Sequence, residues 1–366
     1  MQFFRMFFLM LLSAAASPGA VLVPASDPRI QYTGRIDFSD PLAPRFDWPA
    51  ISVGAVFQGG SVGILLKDGN NDYDAFIDGN LREVIVGVPE ERYLIQGLTK
   101  GRHTLLLVKR TEASFGIGTF KGLELENGAS LLAPPPRPMR RIEIIGDSLA
   151  CGAEVEDLDT ACDAPHFRTT ENVFLSYGAV SARALGAEYR ITAWSAKGMV
   201  RNAGDGEVSQ DPMPSYFHRL LGNLKTPPYI PGAWDPQAVV VLLGGNDFYT
   251  GGVHPSRDEF EVGYRSFLAM LRADYPKARI VCLCFSDSNP MGTYIQEVVR
   301  AENDDGEKMV NYAELGYPRG HLTGCYSHPD VEGQKLIAQD LTRVLGGLMG
   351  WREGSRSRAP AASLVP

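Results

Sequence analysis

The sequence predicts an α/β protein whose parallel-sheet domain follows an all-β sandwich or jelly-roll domain, on three observations. Between residues 28 and 132, short apolar runs are separated by turn signals. The proline run Pro134-Pro-Pro-Arg-Pro138 then interrupts the chain with a stiff, extended linker. From residue 140 onward, strand-like runs alternate with helical patterns, the signature of a parallel sheet covered on both faces.

In the first stretch the apolar runs are Ile51–Phe57, Val62–Leu66, Val84–Val86 and Thr104–Val108. Gly59-Gly60, Asp68-Gly-Asn-Asn71, Asp78-Gly-Asn80 and Lys100-Gly101 supply the turns between them. Beyond the linker, Ile142–Ile145 reads as a strand. A helical pattern follows at Val173, Phe174, Tyr177 and Val180, with Thr170 placed to cap it. Strands are expected at 189–194, 238–243, 279–285 and 308–312, and helices at 256–274, 291–302 and 330–347. The expected organisation is therefore a leader over 1–20, a β domain over 28–132, a linker over 133–139 and an α/β domain over 140–350. A polar tail from 353 to 366 carries no apolar period and is expected to be disordered.

Composition narrows the function. The chain has 366 residues, 44% of them hydrophobic, which is enough to build two packed cores. Its formal charge of −8 argues against a nucleic-acid partner, which needs a positive footprint. Arg5 precedes the apolar run Met6–Leu12, and small residues follow at Ser13–Ala16 and Gly19-Ala20. That layout is a secretory signal peptide, since about a dozen apolar residues cannot span a bilayer core of roughly 30 Å. No membrane anchor is expected, and a monomer is. Five cysteines in an exported protein imply one or two disulfides and a leftover thiol. Cys151 and Cys162 are close enough to staple a loop, Cys282 and Cys284 share one face of a strand, and Cys325 needs a partner. With no CxxC pair and six scattered histidines, neither a metal nor another cofactor is expected.

Four polar segments fall at the ends of successive strands, where an α/β sheet places its chemistry. Gly146-Asp-Ser148 puts a serine at a strand-to-helix turn, beside a helix N-terminus that stabilises negative charge. Ser195-Ala-Lys-Gly198 offers the unobstructed N–H of Gly198, and Gly244-Gly-Asn246-Asp247 offers the amide of Asn246. His328 lies in Ser327-His-Pro-Asp330, immediately before the last helix. Each segment alone reads equally well as an ordinary turn. Together they suit a nucleophile, Ser148, a base, His328, and an oxyanion hole built from Ser148, Gly198 and Asn246.

In that order the four residues resemble the conserved blocks of the SGNH (GDSL) hydrolases, serine esterases with a three-layer parallel-sheet domain. A narrower resemblance covers nearly the whole mature chain. Phe46-Asp-Trp-Pro49, Asp68–Asn71, Phe76-Ile-Asp-Gly79, Lys109-Arg-Thr-Glu112, Arg141–Ser148, Thr170-Glu-Asn172, Ala193-Trp-Ser195, Asn246-Asp-Phe248 and Gly324-Cys325 with His328-Pro329 are similar to carbohydrate esterase family 2. The resemblance implies a jelly roll joined to an SGNH domain, and a secreted esterase removing O-acetyl groups from plant polysaccharides or sugars through an acyl-enzyme. The rival expectations are a lipid or general carboxylesterase on the same scaffold and a non-enzymatic carbohydrate-binding protein.

Two departures matter. The usual SGNH aspartate, three residues before the histidine, is replaced by Cys325. A backbone carbonyl orienting His328 in a Ser–His dyad is then one expectation. Completion of a triad by Asp330 is the other, although Asp330 is better placed to cap the last helix. The aromatic that family members carry beside the histidine is missing at Ser327, which leaves Tyr326 or Trp194 as candidate sugar contacts; Trp194 also reads as a buried strand-end aromatic.

Overall fold

The computed structural model describes residues 19–89, 91–157, 164–232, 234–249 and 251–352. The expected leader (apart from Gly19-Ala20), Cys162 and the 353–366 tail lie outside the described residues.

The N-terminal part is antiparallel. Its strands are β1 (Val21–Pro24), β2 (Gln31–Thr33), β3 (Arg45–Phe46), β4 (Ser52–Gly59), β5 (Val62–Ile77), β6 (Asn80–Val88), β7 (Tyr93–Ile95), β8 (Gly101–Lys109), β9 (Gly118–Leu125) and β10 (Ser130–Leu132). The central path runs β1-β9-β5-β8-β4-β10. Strand β5 belongs to both layers: Val62–Lys67 pairs with β9, and Tyr73–Ile77 pairs with β8. The predicted turn at Asp68–Asn71 is instead the corner between those halves, marked by a register shift against β6. The turn chemistry is real all the same, because Asp68 Oδ1 accepts from Asn70 N and Asn71 N at 3.1 and 3.0 Å. The chain bends there without leaving the ladder.

The second part is a five-stranded, all-parallel sheet in the order β12-β11-β13-β14-β15. Its strands are β11 (Arg140–Gly146), β12 (Ala187–Ala193), β13 (Ala238–Leu242), β14 (Arg279–Phe285) and β15 (Val310–Leu315). The helices are α1 (Ser148–Cys151), α2 (Ala164–Thr170), α3 (Tyr177–Ala184), α4 (Met213–Tyr216), α5 (Arg257–Asp274), α6 (Met291–Asp304) and α7 (Val331–Met349). Alternate strand residues serve opposite faces. Val239, Val241 and Ile280 join Phe260, Tyr264, Ile295 and Val298 from α5 and α6, whereas Ile142, Ile144 and Val240 join Tyr177, Ala182, Ile337 and Leu341 from α3 and α7. Ser256 closes a capping box on α5 with Glu259, and Asp330 caps α7 by accepting from Gly333 N at 2.8 Å. The helix expected from the 173–180 pattern is split. Asn172, rather than Thr170, caps a 3-10 turn at Val173–Leu175, and α3 starts after Ser176.

The two parts meet through buried polar contacts. Arg35 Nη2 pairs with Glu143 at 3.0 Å, and both side chains are buried. Asp47 accepts the Gly222 and Asn223 N–H groups at 2.9 Å. The cysteines depart from expectation. Cys151 is free and buried at the end of α1, so the Cys151–Cys162 staple does not form, and Cys282 and Cys284 are free in the core. Cys325 is disulfide-bonded.

Candidate functional site

Parallel pairing brings the carboxyl ends of β11, β12 and β13 side by side, with Gly146 aligned to Ala193 and Leu242. Ser148 is the first residue of α1. His328 Nε2 lies 2.8 Å from Ser148 Oγ. His328 Nδ1 lies 2.9 Å from Oε2 of Glu154, whose side chain is 1% exposed. The three residues form a continuous relay, and a carboxyl holds the ring where a dyad or Asp330 had been expected. Asp330 is occupied on the helix N-terminus instead. Glu154 reaches the ring because the chain reverses immediately after α1. Gly152 adopts φ +70, and a Cβ there would meet Asn172 O at 2.4 Å, so only glycine fits the turn. Glu154 itself sits at φ +54, a left-handed conformation that costs a glutamate of order 1–3 kcal/mol and is found mainly at functional sites. The edge of Phe167 packs on the imidazole at 6.5 Å between ring centroids.

The cavity that Ser148 lines holds three groups able to meet developing negative charge. The Ser148 N–H opens α1 and makes no hydrogen bond among the described residues. Asn246 Nδ2 is fixed by Lys197 O at 2.9 Å and Asp147 Oδ2 at 3.1 Å. The third group is not Gly198. Its N–H donates to Asn202 Oδ1 at 3.3 Å, and a Cβ there would strike Arg201 O at 1.8 Å. Gly198 is a glycine because the backbone folds tightly onto it, and it does not reach the cavity. Ala196 does, with Ser195. It adopts φ +64, and its N–H has no partner among the described residues. Asp247 holds the loop in shape by accepting the N–H groups of Met199, Val200 and Arg201 at 2.6 to 2.8 Å. Burial outweighs those donors and lifts the Asp247 carboxyl to about 6; burial also lifts Asp147 to about 6.

The cavity above these groups has a volume of about 660 Å³. Its lining includes Phe167, which packs on His328, the exposed Tyr249 and Tyr326, and the buried Leu243, Phe285 and Met291. Tyr326 is 70% exposed, at φ +55. Trp194 lies outside the cavity. It is a half-buried strand-end aromatic, packed edge-on against Trp48 and tilted against Tyr216.

Two buried trios bring possible metal donors within 4.8 Å of one another, Glu112–Cys151–Glu171 and Glu154–Asp157–Cys325. In the second, the sulfur is in a disulfide and Glu154 is engaged with His328. In the first, burial pushes both the Cys151 thiol and the Glu171 carboxyl well above their ordinary values, toward neutral acids that are poor ligands.

Comparison with known proteins places both parts of the fold in known families. Residues 32–135 match the model "Carbohydrate esterase 2 N-terminal", and residues 144–313 match "GDSL-like Lipase/Acylhydrolase family". The structure of a family two carbohydrate esterase from Clostridium thermocellum, in complex with cellohexaose, superimposes with a TM-score of 0.80 at 30% identity, covering 88% of this chain and 100% of that one. The chain belongs to carbohydrate esterase family 2. Among curated members, the cellulase/esterase CelE of Acetivibrio thermocellus is 34% identical over 89% of this chain, which spans 40% of the length of CelE. An acetylxylan esterase / glucomannan deacetylase of Cellvibrio japonicus is 25% identical over 90% of this chain and 91% of its own. Within this family member, sequence reasoning had brought Ser148, His328 and Asn246 together, and the structure does so. It missed Glu154 and Ala196. The signal for Glu154 was a carboxylate six residues after the serine, just beyond the turn glycine Gly152; Ala196, followed by a glycine two residues on, had none.

Proposed function

We propose that this chain is a secreted serine esterase that removes O-acetyl groups from carbohydrates. The observation that carries the reading is the relay Ser148 Oγ–His328 Nε2 and His328 Nδ1–Glu154 Oε2, at 2.8 and 2.9 Å, opening into a cavity with aromatic residues in its lining. His328 takes the Ser148 proton as the hydroxyl attacks the acetyl carbonyl, and Glu154 keeps the ring in the tautomer whose Nε2 can accept it. The Ser148 and Ala196 N–H groups and the Asn246 amide stabilise the tetrahedral oxyanion. Asn246 gives up its longer contact, to Asp147, to do so. His328 then protonates the departing sugar hydroxyl, leaving an acetyl-serine. Water activated by the same imidazole releases acetate. Tyr326, exposed in the cavity lining, would stack on the sugar.

Export rests on the charge and apolar layout of residues 1–20; among the described residues no helix is long and apolar enough to cross a membrane. One observation favours a second reading. Leu243, Phe285 and Met291 give the cavity an apolar lining that a longer acyl chain would pack against, as in a general carboxylesterase. Acetate release from acetylated xylan and glucomannan, compared with hydrolysis of acetyl and octanoyl esters, tests both. The acetyl-carbohydrate reading requires the acetyl substrates to be preferred, and it fails if octanoyl esters are.

A further inference from the structure

The catalytic groups named so far all come from the α/β domain, yet the loop that carries Ala196 is anchored from outside it. Ser195 N donates to Glu112 Oε2 at 2.7 Å, and Glu112 belongs to the β domain, just past the end of β8. The Ser195 hydroxyl is buried without a partner, so its backbone N–H is the side of this residue that the protein holds. The same carboxyl accepts from the Ser114 hydroxyl and lies within 4.8 Å of the thiol of Cys151, the last residue of the helix that begins with Ser148. Glu112 therefore bonds the residue adjoining Ala196 and stands beside the end of the nucleophile's helix at once.

Glu112 is itself rigidly placed. It is 3% exposed, its N–H donates to Glu171 Oε2 at 3.1 Å, and its carbonyl accepts from the buried Lys109 ammonium at 2.9 Å. Elsewhere on the same interface, away from the Glu112 carboxyl and the Ser195 loop, Asn223 Nδ2 donates to Asp47 Oδ2 and Ala113 O at 3.0 and 2.6 Å. A misplacement of about 1 Å in a catalytic donor costs on the order of a hundredfold in rate, so a clamp on both sides of an oxyanion hole has kinetic consequences.

We propose that Glu112 is a positioning residue: through Ser195 and Cys151 it sets the distance between the Ser148 hydroxyl and the Ala196 N–H, so the β domain completes the oxyanion hole. The proposal rests on the esterase reading above. It predicts that reach, not the carboxyl group itself, is what counts. Glu112→Gln keeps an oxygen within reach of the Ser195 N–H, while Glu112→Asp keeps the carboxyl but withdraws it by one methylene.

The test is steady-state kinetics of the full chain on p-nitrophenyl acetate, with affinity for a boronic acid that forms a tetrahedral adduct on the nucleophile, for wild type, Glu112→Asp, Glu112→Gln, Asn223→Ala and Ser148→Ala. Glu112→Asp should lose roughly tenfold to a hundredfold in kcat with KM within about threefold, and boronate affinity should fall in parallel. Glu112→Gln should stay within about threefold of wild type. Asn223→Ala, which loosens the same interface away from the loop, should lower Tm and leave kcat within about threefold. If Gln fails while Asp is tolerated, if KM moves in place of kcat, or if Asn223→Ala loses kcat as Glu112→Asp does, the proposal is overturned. Glu112→Asp with wild-type kcat beside an inactive Ser148→Ala overturns the positioning role and leaves the esterase reading standing. An active Ser148→Ala overturns that reading.

Discussion

Two segments converge on the His328 ring, 147–157 and 325–330, and each carries a carboxyl that could hold it. In 325–330 the candidate, Asp330, is two residues from the histidine, and its oxygen is taken by the Gly333 N–H at the start of α7. In 147–157 the candidate, Glu154, is 174 residues away in sequence and lies 2.9 Å from Nδ1. Sequence proximity decided nothing. A short carboxyl beside a helix start meets several unsatisfied N–H groups and is claimed locally. A carboxyl turned inward by a left-handed reversal has no such donor and remains available to the imidazole.

That comparison can be broken in order of effect. Ser148→Ala removes the attacking atom, and acetyl-ester turnover should fall on the order of ten-thousandfold or more, with the fold unchanged by circular dichroism. Glu154→Ala comes next. Loss of the group that holds an imidazole cost about ten-thousandfold in the serine-protease template, and a fall of roughly a hundredfold to that limit is expected in kcat. A fall of less than about threefold would return the site to a dyad. Asn246→Ala should reduce kcat about a hundredfold with little change in KM, because its amide acts on the transition state. Asp330→Asn is the counterpart of Glu154→Ala and should leave kcat within about threefold and stability within about 0.5 kcal/mol, read as a denaturation midpoint, because asparagine caps a helix about as well as aspartate. If Asp330→Asn has the larger kinetic effect, the roles of the two carboxyls are reversed.

A smaller effect sharpens the account of the oxyanion loop. The folded-state value of Asp247, about 6 against an ordinary 3.8, means that the native protein binds this proton more tightly than the unfolded chain. The stability it contributes is fully present below the ordinary value and is lost as pH rises through about 6. Wild type should therefore lose stability relative to Asp247→Asn over that window, at up to about 1.4 kcal/mol per pH unit. Urea midpoints of the two proteins between those limits check it, and a constant difference would show that the group is not perturbed.

What the sequence disclosed follows the same division between local and distant constraint. The parallel sheet was legible because β13 and β14 carry unbroken apolar runs and β11 one interrupted only by Glu143, and the caps Ser256 and Asp330 stand beside the helices they serve. Ser148, Asn246 and His328 were legible because each follows a strand or precedes a helix. Glu154 was not, since Glu154-Val-Glu-Asp157 reads as a solvated acidic run until the turn at Gly152 buries it. Gly198 drew attention for the freedom of glycine, but that freedom serves the tight packing on Arg201 and Asp247, and the N–H facing no partner belongs to Ala196. Glu112 was legible only as part of the Lys109–Glu112 motif, because its contact with Ser195 crosses 83 residues.

The most direct test of the relay is peptide mapping after treatment with an organophosphonate, which leaves a stable tetrahedral adduct on an activated serine. The account predicts one label, on Ser148, absent in Ser148→Ala and formed far more slowly in His328→Ala and Glu154→Ala. A label on another residue, or esterase activity that survives complete labelling of Ser148, would contradict it.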